Sequence, residues 1–244
     1  MAVESPDVER ITVNLERLRA RVEGAARRVG RAGDSIELVA VTKSWPAELV
    51  RHAYQAGLRR VGENRVAEAD AKRAQLADLM DLAWDMVGHI QSRKAETAAA
   101  VFDRVHSVDR WKIARLLAEK LPDDAPRLPI FLECNVSGEA SKYGYDMNDP
   151  DNWQVFLPEF ERVAGLARLE ICGLMTMAPW NADQAIVRAT FSQLRHLRDW
   201  LAGRMPAVDW RHLSMGMTDD FELAIEEGAT VIRVGRALFG ERPV

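Results

Sequence analysis

Eight short apolar runs alternate with seven amphipathic stretches along this chain, and that alternation constrains the fold more than any other feature. The runs are ELVAVTK, RRVGEN, WDMVGHIQ, RVHSVD, PIFLECNVS, LEICGLMTMAP, WRHLSMG and TVIRVGRALFG. Helical spacing follows the first in PAELVRHAYQAG and the others at about 65–80, 92–101, 110–121, 152–165, 183–202 and 219–228, the last run closing the series. Pro46 suits the first turn of the first of these helices and Gly57 suits its end. Strands separated by helices pair in parallel through right-handed crossovers, and eight of them can close into a barrel with no free edge. The competing arrangement is an open doubly wound sheet. Such a sheet more often carries a Gly-rich dinucleotide turn after its first strand, and TKSWP is not one.

One helix precedes the alternation. From Asp7 to about Val29 the apolar residues Val8, Ile11, Leu15, Leu18 and Val22 recur at intervals of three and four, and Gly30 with Gly33 supplies a stop. The expected fold is an α/β (β/α)8 TIM barrel with an extra N-terminal helix. No low-complexity tract or Gly/Ser linker divides the chain, so residues 1–244 read as a single domain.

Composition narrows the function. With 48% hydrophobic residues there is material for a large core, and a net charge of -4 spread over both signs gives no basic stripe for nucleic acid. Cys134 and Cys172 lie singly inside apolar runs, which suggests neither a disulfide framework nor a zinc site and points to a reducing, cytoplasmic setting. The early acids of MAVESPDVERITVNLERL do not make a signal peptide of the usual form, and no apolar run is long enough to cross a bilayer.

In barrels of this type the chemistry lies at the C-terminal ends of the strands. There this sequence places Lys43, Glu63, Asn64, His89, Gln91, Asp109, Asn135, Thr176, Ser214 and Arg233. A lysine in a partly apolar cleft loses hydration of its charged form, and its neutral amine can then attack a carbonyl. An isolated lysine beginning a loop is more simply a solvated one; position among the strand ends argues for the reactive reading. The carbonyl could belong to a sugar or to a cofactor aldehyde.

Barrels commonly hold a phosphate at the seventh and eighth strands, which here carry LSMGMTDDF and IRVGRALFG. Gly216 lets backbone N–H groups approach an anion, Ser214 and Thr218 offer hydroxyls, and a helix begins just beyond. Gly235 adds a second close approach, flanked by Arg233 and Arg236. Alternatively the glycines are ordinary loop residues and the arginines pair with Asp219 or Asp220. Taken with Lys43, the two segments suit a phosphate ester that carries an aldehyde.

The segments AVTKSWP, GENRVAE, GHIQSRK, NVSGEASKYG, GLMTM, LSMGMTDDF and IRVGRALFG, in this order from about residue 8 to about 240, together resemble the YggS/PROSC family of pyridoxal phosphate homeostasis proteins. The resemblance implies a barrel like that of the alanine racemase N-terminal domain and pyridoxal 5′-phosphate (PLP) as cofactor. It implies further that Lys43 forms the internal aldimine, that Ser214, Gly216 and Gly235 hold the phosphate, and that Arg233 faces the pyridine nitrogen. Asn64 and His89 would line the ring and Met215 its phosphate end. Lys142 matches another family position near the mouth, although a solvated loop lysine is its simpler role. Thr218 stands where many relatives have serine and Arg236 where many have threonine, so Arg236 either reaches the phosphate from farther out or points to solvent.

An arginine opposite the pyridine nitrogen leaves the ring unprotonated and a poor electron sink, which argues against transaminase or decarboxylase chemistry. A racemase would need a second acid–base group, which alanine racemase takes from a domain after its barrel; this sequence ends at Val244, and Tyr54, Tyr143 and Tyr145 have no evident catalytic placement. The expected function is therefore reversible binding, regulation or delivery of PLP without turnover, possible recipients being PLP-dependent apoenzymes and the expected state a monomer. A PLP-dependent amino-acid racemase is the first alternative. A cofactor-free Schiff-base aldolase and a pure interaction protein are the others.

Overall fold

The computed structural model describes residues 6–241. Its first element is the helix α1 (Pro6–Arg28), followed by β1 (Glu37–Val41), α2 (Ala47–Gln55), β2 (Arg60–Glu63), α3 (Val66–Gln75), β3 (Ala83–Met86), α4 (Ala95–Val101), β4 (Arg104–Val108) and α5 (Trp111–Lys120). The second half runs β5 (Leu128–Asn135), β6 (Tyr145–Asp146), α6 (Trp153–Ala164), β7 (Leu169–Met175), α7 (Gln184–Arg204), β8 (His212–Ser214), α8 (Phe221–Glu226), β9 (Val231–Val234) and α9 (Arg236–Phe239).

All strand pairings are parallel. The order β4-β3-β2-β1-β9-β8-β7-β5, closed by a β4–β5 pairing, is the expected eight-stranded barrel. The register Glu37↔Val231 to Ala40↔Val234 joins its first and last strands. One strand was not foreseen: β6 lies within the loop GEASKYGYD and pairs with the end of β5 outside the barrel.

Most apolar side chains fill the layer between sheet and helices, and a smaller group, Val39, Phe131, Cys172, Met175 and Val231, packs inside the barrel. This split follows from the period of two along each strand. The long helix α1 has a place in it. Among the described residues the helix after the last strand, α9, has four residues, too few to cover that strand's share of the sheet. Ile11, Leu15, Leu18 and Val22 bury their side of α1 against that gap, and α1 packs on α2, α8 and α9. Ion pairs from Arg21 to Glu222 and from Arg28 to Glu226 fix its outer edge to α8.

Some helices are shorter than their apolar spacing suggests. α3 ends at Gln75 rather than near Met80, where the chain turns back through Leu76 and Leu79 to enter β3. α8 ends at Glu226, two residues before Gly228 takes a φ of +103°. Cys134 and Cys172 are free and buried. No helix among the described residues is long and apolar enough to cross a membrane.

Candidate functional site

The end of β1 is gripped from outside the barrel. Thr42 is fully buried; its amide donates to the Gly62 carbonyl at 3.0 Å and its hydroxyl to Glu63 Oε1 at 2.7 Å. Lys72 of α3 reaches the same point, with Nζ 2.8 Å from the Thr42 carbonyl oxygen, 2.6 Å from Glu63 Oε1 and 2.7 Å from Glu68 Oε1. Glu68 in turn accepts from the amide of Ser44 at 2.6 Å, where the chain turns with a φ of +65°. The residues on both sides of Lys43 are thus held by one helix. Because Val39 faces the barrel interior and Thr42 faces α3, alternation turns the half-buried Lys43 toward the mouth.

Glu63, expected at the mouth, is not there. Its neighbour Gly62 is the residue that faces inward, where an added Cβ would stand 2.9 Å from a methyl carbon of Val39, so Glu63 points to the helices. Burial raises its pKa, and Lys72 opposes that rise.

Next to β1, the ends of β8 and β9 form a concave stretch of backbone. Gly216 has a φ of +94°, and a Cβ there would lie 2.6 Å from the Cβ of Ala224 and 2.9 Å from the Cα of Phe221. At Gly235 a Cβ would meet the Val41 carbonyl oxygen at 3.0 Å. Neither glycine's amide has an acceptor among the described residues. The two loops are tied together by an ion pair between Arg236 and Asp219 and by the amide of Ala237, which donates to Thr218 Oγ1 at 3.4 Å. Arg236 is therefore engaged by Asp219 at the surface, the pairing weighed above as the alternative to a phosphate contact.

Arg233 is 4% exposed and firmly placed. Its Nη1 donates to the carbonyl oxygen and the hydroxyl of Ser214 at 2.7 and 2.6 Å, and its Nη2 to the Thr176 carbonyl at 2.9 Å. Burial lowers the guanidinium pKa to about 10 against the pull of Asp220 and Glu133. Ser214 is fully buried and lies between Arg233 and His106 Nδ1, 2.8 Å away. Met215 stands apart. Alternation turns its side chain into the barrel–helix core, and its amide donates to the Val231 carbonyl at 3.1 Å.

Asn64 and His89, beyond β2 and β3, complete the rim. An added Cβ on Gly88 would be 2.6 Å from the Asn64 carbonyl oxygen, so these two strand ends pack backbone to backbone. His89 Nδ1 lies 3.0 Å from Asp109 Oδ2 but off the hydrogen-bonding direction. The exposed ring of Tyr143 stacks on His89 with centroids 3.9 Å apart. Lys142 is more tied down than a solvated loop lysine: it pairs with Glu139 and donates to the Met177 carbonyl at 2.9 Å. Tyr145 is buried edge-on against Phe160.

Lys43, Asn64, His89, Gly216, Arg233 and Gly235 thus come together at the ends of five neighbouring strands, β3, β2, β1, β9 and β8. Sequence reasoning missed the polar groups behind them. Lys72 reads as half of a surface pair with Glu68, four residues away. Arg104 and His106 were visible as alternate, same-face polar residues of the strand RVHSV, and Asp85 as a lone acid in another. Glu133 was hidden in the same way: 4% exposed on the inward face of β5, it is pushed up to about 7 by burial and by Asp109.

Known proteins extend these observations. Residues 13–243 match the family model described as alanine racemase, N-terminal domain. The chain is 45% identical over 233 residues, 95% of its length and 96% of the relative's, to the pyridoxal phosphate homeostasis protein of Pseudomonas aeruginosa. The solved structure of PipY from Synechococcus elongatus PCC7942 with PLP bound superposes with a TM-score of 0.81 at 38% identity, covering 94% of this chain and all of that one. Alanine racemase of Clostridium difficile 630 shares the fold alone, with a TM-score of 0.70 at 14% identity over 97% of this chain and 58% of that one.

Proposed function

This chain belongs to the pyridoxal phosphate homeostasis protein family, built on the alanine racemase N-terminal barrel, and from that premise we propose that it binds PLP at the mouth formed by β8, β9, β1, β2 and β3. The observation that carries the reading is the conjunction of Lys43 at the end of β1 with the glycine-lined backbone of Gly235 after β9, the strand beside it, and of Gly216 after β8, the next strand on. When bound, PLP supplies an aldehyde for a lysine amine and a phosphate for backbone donors.

The residues suit that group. The amides of Gly216 and Gly235 are free to donate to an anion, and a Cβ at either glycine would intrude on the surrounding chain. Lys43 is the covalent attachment point, held in place by α3 through Thr42 and Ser44. Arg233 faces the pyridine nitrogen. Ser214 serves by holding Arg233, and Asn64 and His89 flank the ring.

The protein holds and delivers PLP without turnover, acting on PLP-dependent apoenzymes as a cytoplasmic monomer. Arg233 supports this reading as far as transamination and decarboxylation are concerned, because a guanidinium fixed on Ser214 and on the Thr176 carbonyl cannot supply the carboxylate that keeps the PLP ring of such enzymes protonated; it is compatible with a racemase. Tyr145 supports it too, since its ring is packed against α6 and not at the mouth.

The test is optical and covalent. Protein incubated with PLP should develop a near-visible absorption band that borohydride abolishes, with the pyridoxyl mass recovered on the peptide containing Lys43. The absence of a band, or a label on another lysine, would refute the site. Steady racemisation or transamination that disappears in Lys43→Ala would refute the absence of turnover.

A further inference from the structure

A chain of hydrogen bonds crosses the barrel interior behind the mouth. At its lower end Glu37 pairs with Arg60 and Arg104 at 2.6 and 2.8 Å. Both arginines reach Asp85, Arg60 at 2.7 Å and Arg104 at 2.6 Å. Asp85 Oδ2 lies 3.0 Å from His106 Nε2, and His106 Nδ1 lies 2.8 Å from Ser214 Oγ, which accepts from Arg233 at 2.6 Å. Asp85, His106 and Ser214 have no exposure.

We propose that His106 and Asp85 are positioning residues for Arg233, aiming its guanidinium at the mouth through the Ser214 hydroxyl. The proton directions leave one consistent arrangement. Asp85 is surrounded by cations and stays ionised, so its oxygen must accept from His106 Nε2–H. With one proton on the ring, Nδ1 carries a lone pair and must be met by the Ser214 hydroxyl hydrogen. Ser214 Oγ then presents only lone pairs to Arg233. His106 is kept neutral by burial and by the positive charges of Arg104 and Arg233, which together push its pKa down to about 4.

This arrangement answers a competition. Asp220 and Glu133 both attract Arg233, yet its hydrogen bonds go to Ser214 and to the Thr176 carbonyl. Neutral acceptors hold the guanidinium without spending its charge, which remains available to a ligand in the mouth. Without the link to His106 the Ser214 hydroxyl can rotate its hydrogen toward Arg233, and the guanidinium is then drawn to a carboxyl instead. Packing alone does not require a histidine here: the ring stacks on Phe131 with centroids 4.4 Å apart, and any flat ring of similar size could do so.

The inference rests on the PLP reading and is tested with two ligands that do not bond covalently to Lys43. One is 4-deoxypyridoxine 5′-phosphate, which keeps the ring nitrogen; the other is benzyl phosphate, which lacks it. Affinities are measured by titration calorimetry on the intact protein and on His106→Phe, with Ser214→Ala as a second variant that breaks the same link and leaves Asp85 untouched. Each variant is expected to lose about tenfold in affinity for the pyridine ligand and less than about twofold for benzyl phosphate. Equal losses for both ligands, or no loss for either, would mean that His106 is only structural. Failure of the unaltered protein to bind either ligand would overturn the PLP site itself and the inference with it.

Discussion

Lys72 Nζ sits 2.6 Å from Oε1 of Glu63, and both side chains are almost entirely out of water. The other carboxylate oxygen of Glu63 is buried with no hydrogen-bond partner among the described residues, so the ammonium group is the main compensation for a buried charge. Removing one member of such a pair leaves the other uncompensated. Lys72→Met should therefore destabilise the protein by about 3–5 kcal/mol in urea unfolding, and adding Glu63→Leu should restore much of that loss. A Lys72→Met cost under about 1 kcal/mol would show that the pair contributes little.

The same pair shows where sequence reading stopped. The barrel was legible because apolar runs of strand length alternate with helical spacing, and Lys43, Asn64 and Arg233 follow from strand ends alone. The side that each polar residue faces was less legible, because a shift of one position along a strand reverses it. Glu63 and Asn64 are adjacent, and only the second reaches the rim. Ser214 and Gly216 were read as one phosphate motif, yet their alternate positions along the chain put one beneath Arg233 and leave the other at the surface of the cradle. The role of Lys72 depends on how α3 lies across the end of β1, a relation between distant segments that no local pattern encodes.

The two cradle glycines should respond differently to alanine. Gly216 combines a φ of +94° with contacts of 2.6 and 2.9 Å for an added Cβ, against Ala224 and the backbone of Phe221. Gly216→Ala should cost about 2–4 kcal/mol of stability from left-handed strain and displacement of α8. Gly235 has an ordinary φ of -117° and a single tight contact of 3.0 Å, so Gly235→Ala should cost about 1 kcal/mol or less. Thermal unfolding of both variants decides the matter; equal shifts would contradict the geometry.

Two buried groups give stability opposing dependences on pH. Burial raises Glu133 from 4.5 to about 7, so its contribution is full below pH 4.5 and is lost as pH rises through about 7. Burial lowers His106 from 6.5 to about 4, so its contribution is full above pH 6.5 and is lost as pH falls through about 4. Glu133→Gln removes the first dependence and leaves the second. Relative to the unaltered protein the variant should gain about 2–3 kcal/mol between about pH 5 and about pH 8, each unit of pKa shift being worth about 1.4 kcal/mol. Urea unfolding across that range would reject the assignment if the difference between the two proteins stayed flat.

Tyr143 offers a test of the rim. Its ring lies on His89 at a centroid separation of 3.9 Å and an interplanar angle of 20°, while 57% of the residue remains exposed. Little buried surface is lost in Tyr143→Ala, so its stability should change by no more than about 1 kcal/mol. His89 would then lose the ring that packs on it and would move more freely at the edge of the mouth. Release of bound PLP, followed by the decay of its absorption in the presence of excess competing amine, should become several-fold faster. An unchanged rate would place the His89–Tyr143 stack outside the exit path and limit the cofactor site to the strands from β2 through β1 and β9 to β8.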